Sequence, residues 1–253
     1  MTGSQIYVRL DTISNAVTSK GITLKDFQQA TTTFPQNILL LMNDNDLGEL
    51  EANTGLRMVR GEETIRQFFN QYEHSHNIKW IDFQNIDLIR QMKPIEIAEL
   101  LYFGHMKSQL HSPFFYKLQN NFVYFDEENN FGKVYYRRMN EFYAVLQKAI
   151  ERHLEKQVNA NKWFFKKPTK ITSMSEDFLE ELNPILQEGI LFDFIEVKEE
   201  KCWAINMYIV EDKIRSVLSN DSVVAIIKYY SESGIWTLEK QSELFEGLGI
   251  SQN

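Results

Sequence analysis

The sequence predicts an α+β protein in two units, a larger one over residues 1–160 and a smaller one over residues 161–253. Three observations lead there. Phe142, Val145, Leu146, Ala149, Ile150 and His153 recur at the i, i+3, i+4 spacing of one helix face, which predicts a long amphipathic helix over about 140–158. Before it, the aromatic runs FFYKLQNNFVYF and FGKVYYRR flank the turn DEENN, the pattern of a hairpin. After it, ILFDFIEV, CWAINMYIV, VVAIIKYY and IWTL read as four short strands of a second, antiparallel sheet.

In chain order, IYVRLDTI is strand-like and TLKDFQQATTTF begins as a capped helix, with Thr23 as cap and Asp26 in the capping-box position. Pro35 ends that segment, and NILLLMND has the length and continuity of a buried strand. LGELEANTGLRMVRG is an exposed loop or weak hairpin, and its glycines match no phosphate loop. Ile65, Phe68, Phe69 and Tyr72 share a face of a helix that starts at Glu62 and Glu63 and ends near His74. His74 and His76 have no third ligand at metal spacing, so no metal is expected. Trp80, Ile81 and Phe83 mark a short strand, and Ile86, Leu88 and Ile89 a short helix.

Pro94 suits the first turn of the next helix, where Ile95, Ala98, Leu101 and Tyr102 make the apolar stripe expected to face a core. Gly104 is expected to stop it. Asn120-Asn121 and Asn129-Asn130 are the residues expected to take left-handed conformations around the hairpin, so the larger unit has an aromatic helix-hairpin-helix centre. Residues 159–170, NANKWFFKKPTK, are the expected boundary. Ser175 is placed to cap a helix carrying Phe178, Leu179 and Leu182, Pro184 interrupts it, and a further helix is expected over 211–218.

Composition narrows the function classes. No apolar run approaches the ~18 residues of a membrane span, and no signal-like segment begins the chain, so neither membrane nor export is expected. The single cysteine, Cys202, sits in an apolar strand and reads as a core residue of a cytoplasmic protein. Charge is uneven: net −2 over residues 1–125, +4 over 126–170 and −10 over 171–253. Glu176, Asp177, Glu180 and Glu181 are the densest acidic cluster and the candidate contact for a partner protein with a basic groove.

Two alternatives carry chemistry. Glu196-Val197-Lys198, with Asp193 before it, matches part of the acid and acid-x-Lys pattern of PD-(D/E)xK nucleases, in which carboxylates hold a divalent ion and the lysine orients water. Asp193 and Glu196 lie three residues apart on one strand and so point to opposite faces. Arg137 and Arg138 behind Tyr135 and Tyr136, with Lys162, Trp163, Lys166 and Lys167, interleave cations and rings as single-strand grooves do. The acidic final third opposes general nucleic-acid affinity. No cofactor motif is present, and none is expected.

Residues 80–126 resemble a segment of uncharacterised proteins of phages and bacterial mobile elements, through Pro94, Glu96, Ile97, Ala98, Tyr102, Phe103 and Gly104. Gln119, Asn120 and Asn121 replace that family's Gly-Tyr-Gly-Asn turn. The resemblance implies a genetic context in which small acidic proteins bind and block host defence nucleases of restriction or CRISPR type. The expectation is a non-enzymatic interaction module of that kind.

Overall fold

The computed structural model describes residues 5–41, 47–72, 78–106, 112–127, 130–160, 170–197, 202–210 and 223–240. They form an α+β chain with antiparallel strand pairs in two compact units. A central unit comprises Asp11–Thr18 and Thr23–Phe142, and a terminal unit comprises Met1–Leu10, Ser19–Ile22 and Tyr143–Asn253. All but the last residue of β1 (Gln5–Asp11) belongs to the terminal unit, and β2 (Ala16–Lys20) is divided between the two. Most of the expected boundary stretch, 161–169, lies outside the described residues.

In the central unit, α1 (Leu24–Ala30) starts with the predicted capping box. Thr23 Oγ1 accepts the Asp26 N–H at 3.2 Å, and Asp26 Oδ2 accepts the Thr23 N–H at 2.8 Å. β3 (Asn37–Leu40) is buried at Ile38, Leu39 and Leu40, and the weak hairpin that follows is β4 (Glu49–Leu50) paired with β5 (Arg57–Arg60). α2 (Glu62–Gln71) buries Ile65, Phe68 and Phe69. β6 (Lys79–Asp82), α3 (Ile86–Arg90), α4 (Pro94–Met106), β7 (Phe122–Glu127) and β8 (Phe131–Tyr136) complete the unit, with strand order β2-β8-β7-β6-β3-β5-β4.

Alternation along these strands gives the sheet two packed faces, because successive side chains point to opposite sides. On one face Trp80 meets Phe27 of α1 at 5.6 Å and Phe69 of α2 at 5.2 Å between ring centroids, and Phe122 meets Phe27 at 4.9 Å. On the other, Ile81, Val123, Phe125 and Tyr135 join Leu100 and Phe103 of α4. The aromatic run from Phe114 is not extended throughout: residues 116–119 form a turn, and the strand begins only at Phe122. Left-handed backbone falls on Gln119 (φ 52°) and Asn130 (φ 62°). Asn120 is instead buried as a hydrogen-bonding hub, and Asn129 lies outside the described residues.

α5 (Met139–Ala160) begins in the central unit. There its buried Glu141 accepts hydrogen bonds from the backbone N–H and hydroxyl groups of Thr32 and Thr33 at 2.6–3.2 Å. From Tyr143 the helix belongs to the terminal unit, where the His153 ring stacks on Phe194 at 5.5 Å and its Nε2 lies 3.0 Å from the Gly21 carbonyl oxygen. α6 (Glu176–Glu180), capped by Ser175, and α7 (Asn183–Leu186), opened by Pro184, precede β9 (Ile190–Val197), β10 (Cys202–Ile209), β11 (Val223–Tyr230) and β12 (Ile235–Lys240). The four expected strands form one sheet, joined by a fifth from the start of the chain: β1 pairs with β9, Ile6 opposite Phe192. Cys202 is buried at the start of β10. The helix expected over 211–218 lies outside the described residues, among which no helix is long and apolar enough to cross a membrane.

Candidate interaction surface

α4 is the element whose packing differs most from expectation. Its inner face is Leu100 and Phe103, both buried, with Ile97 packed against the same cluster. Gly104 does not stop the helix, which continues to Met106. It sits inside it, where a Cβ would lie 2.8 Å from Leu41 Cβ, so the missing side chain permits a close approach of α4 to the residue following β3. Anchoring α4 by this side turns the predicted stripe outward: Ile95 is 63 % exposed, Tyr102 47 % and Leu101 44 %, with Ala98 exposed between them. The helix is therefore apolar on two sides, and only one meets the core of its unit. A helix apolar all round is ordinarily buried all round.

The segment 112–121 extends this surface. Tyr116 is 90 % exposed, and Phe114 and Phe115 are half-buried, Phe115 packing edge-on to Phe103 at 5.8 Å. Lys117 ties the segment to the start of α4: its Nζ donates to Glu96 Oε2 at 2.7 Å and to the Gln91 carbonyl at 3.1 Å. The Lys117 ammonium, with the Lys93 backbone N–H, holds the Glu96 carboxyl below the usual carboxylate range. Together α4 and 112–121 present three large aliphatic or aromatic side chains of a helix face beside an exposed tyrosine. That composition can bury apolar area against a partner.

The residues selected from the sequence are distributed otherwise. Asp193 is half-buried in β9 and accepts a hydrogen bond from Gln5 Nε2 at 3.0 Å, while Glu196 is exposed and paired in register with Trp203. The two carboxylates stand on opposite faces of the strand. Lys198 lies outside the described residues, as do His74, His76, Lys162, Trp163, Lys166 and Lys167. Among the described residues no group of three or more His, Cys, Asp or Glu side chains is placed to hold a metal ion. Arg137 and Arg138 are exposed at the end of β8, Arg137 with its guanidinium carbon 4.8 Å from the centre of the Phe114 ring. Asp177, Glu180 and Glu181 are exposed on and just after α6, whose Leu179 and the following Leu182 are buried. Glu181 also pairs with Lys240 at 3.5 Å, and the Glu176 side chain is not among those described.

Two surface features have no counterpart in the sequence reading. Tyr116 was hidden inside a run of aromatics that resembles a strand, and Ile13, 98 % exposed, sits in the turn between β1 and β2. The Asp11 carboxylate holds that turn by accepting from the Ser14 hydroxyl at 2.6 Å and the Ile13 N–H at 3.0 Å, which lowers its pKa despite partial burial. The signal that was available lies in α4. Its apolar residues outnumber those one face can hold, so a second apolar face is implied by composition before any packing is known. No family model, no curated protein and no solved structure matches this chain.

Proposed function

We propose that this protein is a non-enzymatic interaction module that binds another protein through the outward face of α4. The observation that carries the reading is the exposure of Ile95, Leu101 and Tyr102 in one stripe of a helix whose other face is already packed. Scattered exposed apolar residues are ordinary, whereas a contiguous stripe on a rigid helix is the form of a binding anchor. The partner in this reading is a host protein met by a phage or mobile-element product, with a nuclease of a defence system as the specific case.

The acidic cluster supports a contact of different character. Asp177, Glu180 and Glu181 are exposed in a segment of the chain carrying net charge −10, which suits a basic groove on the same partner and speeds association more than it adds affinity. Affinity capture from the native host tests both contacts together. The unaltered chain is expected to retain one dominant protein, Ile95→Ser with Tyr102→Ser to lose it, and Asp177→Lys with Glu180→Lys to weaken it in a salt-dependent way. Equal capture by the native chain and both variants, with folding intact, would refute the reading.

A further inference from the structure

The outward side of α4 carries a heptad. Ile95, Ala98, Tyr102 and His105 follow one another at the a, d, a and d positions, and all four are exposed. Leu100, Phe103 and Gly104 take the f, b and c positions on the opposite side, which a coiled coil leaves to solvent. Here those are the positions packed on the core, because Gly104 brings that side of the helix against Leu41. The seam that a coiled coil hides therefore points away from the unit, along about 15 Å of helix. Its flanks are Glu99 on one side and Leu101 on the other, both exposed. Glu96 is held by Lys117 at 2.7 Å, whereas no cation pairs with Glu99 among the described residues.

We propose that the outward face of α4 receives one amphipathic α-helix of the partner protein, packed as a short two-stranded coiled coil, with a bulky apolar residue over Ala98 and a lysine or arginine beside Glu99. The inference rests on the interaction reading above and names the occupant of that face. Ala98 lies between Ile95 and Tyr102, so the middle of the seam is a hole that a large side chain of a facing helix fills. Glu99 borders that hole, and a cation opposite it fixes the choice and direction of the incoming helix more than it adds affinity.

A second copy of the chain fits the seam poorly. Set antiparallel, two α4 helices put Ile95 against His105 and Ala98 against Tyr102, with the two-fold axis at the level of Leu100. Glu99 is one residue from that level and on the same flank in both copies, so two carboxylates meet at the edge of an apolar contact. Set parallel, they put Ala98 against Ala98, and the middle of the seam loses its packing. A partner's strand fits no better, since its side chains repeat every second residue and the seam repeats at three and four. A different helix with a basic flank has none of these faults.

The probe is a labelled helical peptide of three heptads with leucine at a and d and lysine at e and g, which keeps the peptide from pairing with itself. Its anisotropy is followed as the whole chain is added, beside a second peptide carrying glutamate at e and g. Saturable binding of the lysine peptide is expected, at least about tenfold weaker with Ile95→Ser or Tyr102→Ser and about fivefold weaker with Glu99→Lys. Glu99→Lys is expected to bind the glutamate peptide more tightly than the native chain does. No saturable binding of the lysine peptide, or equal affinity of the native chain for both peptides, would overturn the proposal. Sedimentation is expected to show a monomer, and a dimer dispersed by Ile95→Ser would instead make the occupant a second copy. Capture of a host protein that Ile95→Ser with Tyr102→Ser abolishes but Glu99→Lys leaves unchanged refutes the basic helix and spares the interaction reading. Peptide binding without capture of any host protein does the reverse.

Discussion

α2 and α4 lie in the same unit, each against one face of its sheet, and they divide their residues in opposite ways. α2 buries Ile65, Phe68 and Phe69 and gives its other side to Glu62, Glu63, Gln67, Asn70 and Gln71, so one packed face satisfies it. α4 buries Leu100 and Phe103 and leaves Ile95, Ala98, Leu101 and Tyr102 outside. Both start with an acidic first turn held by a cation, Glu62 by Arg66 at 2.8 Å and Glu96 by Lys117 at 2.7 Å. The difference therefore lies in the remaining face and not in how the helices begin. Stability of the unit explains every apolar residue of α2 and about half of those in α4.

Truncating the inner residues should break both helices alike. Phe69→Ala and Phe103→Ala are each expected to cost about 3–5 kcal/mol in chemical denaturation, since both rings are buried and touch several others. Gly104→Ala sharpens the contrast, because an added Cβ must push against Leu41. A loss of about 1–3 kcal/mol is expected, whereas a stabilised variant would show that α4 does not need the close approach.

Acid should affect the two first turns by smaller amounts. The Glu62 carboxyl is held below its usual range by Arg66 and Gln36, as Glu96 is by Lys117 and Lys93. Their stabilisation is full above the ordinary glutamate value and fades as pH falls through the lowered folded values. Thermal melts of Glu62→Gln and Glu96→Gln between about pH 5 and 3 should accordingly fall less steeply than those of the native chain. The smallest effect on folding is expected from the outer stripe. Ile95→Ser and Tyr102→Ser should each change stability by no more than about 0.5 kcal/mol, yet abolish partner capture. A large loss of stability in either variant would place that face inside the fold and remove the basis of the interaction reading.

Much of the fold was legible locally. The Thr23–Asp26 box, the first turn of α2, the Ser175 cap and the spans of β9 to β12 all follow from short-range rules, in which a side chain caps a backbone group or alternation builds a two-faced strand. The candidate surface was legible only as residues, not as a surface. Ile95, Ala98, Leu101 and Tyr102 were recognisable as a stripe, but periodicity states that residues share a face and not which way that face points.

By itself the sequence determined where most helices and strands lie and that α4 carries more apolar side chains than one interface can hold. Tertiary structure alone decided the rest. The rotation of α4 is set by the fit of Gly104 against Leu41, a contact between residues far apart in the chain. β1 joins β9 through a pairing of residues far apart in the chain, Gln5 opposite Asp193. Asp82 acquires its raised pKa from burial beneath Asn121 and Phe122, because desolvation depends on what surrounds a carboxyl and not on its neighbours in the chain.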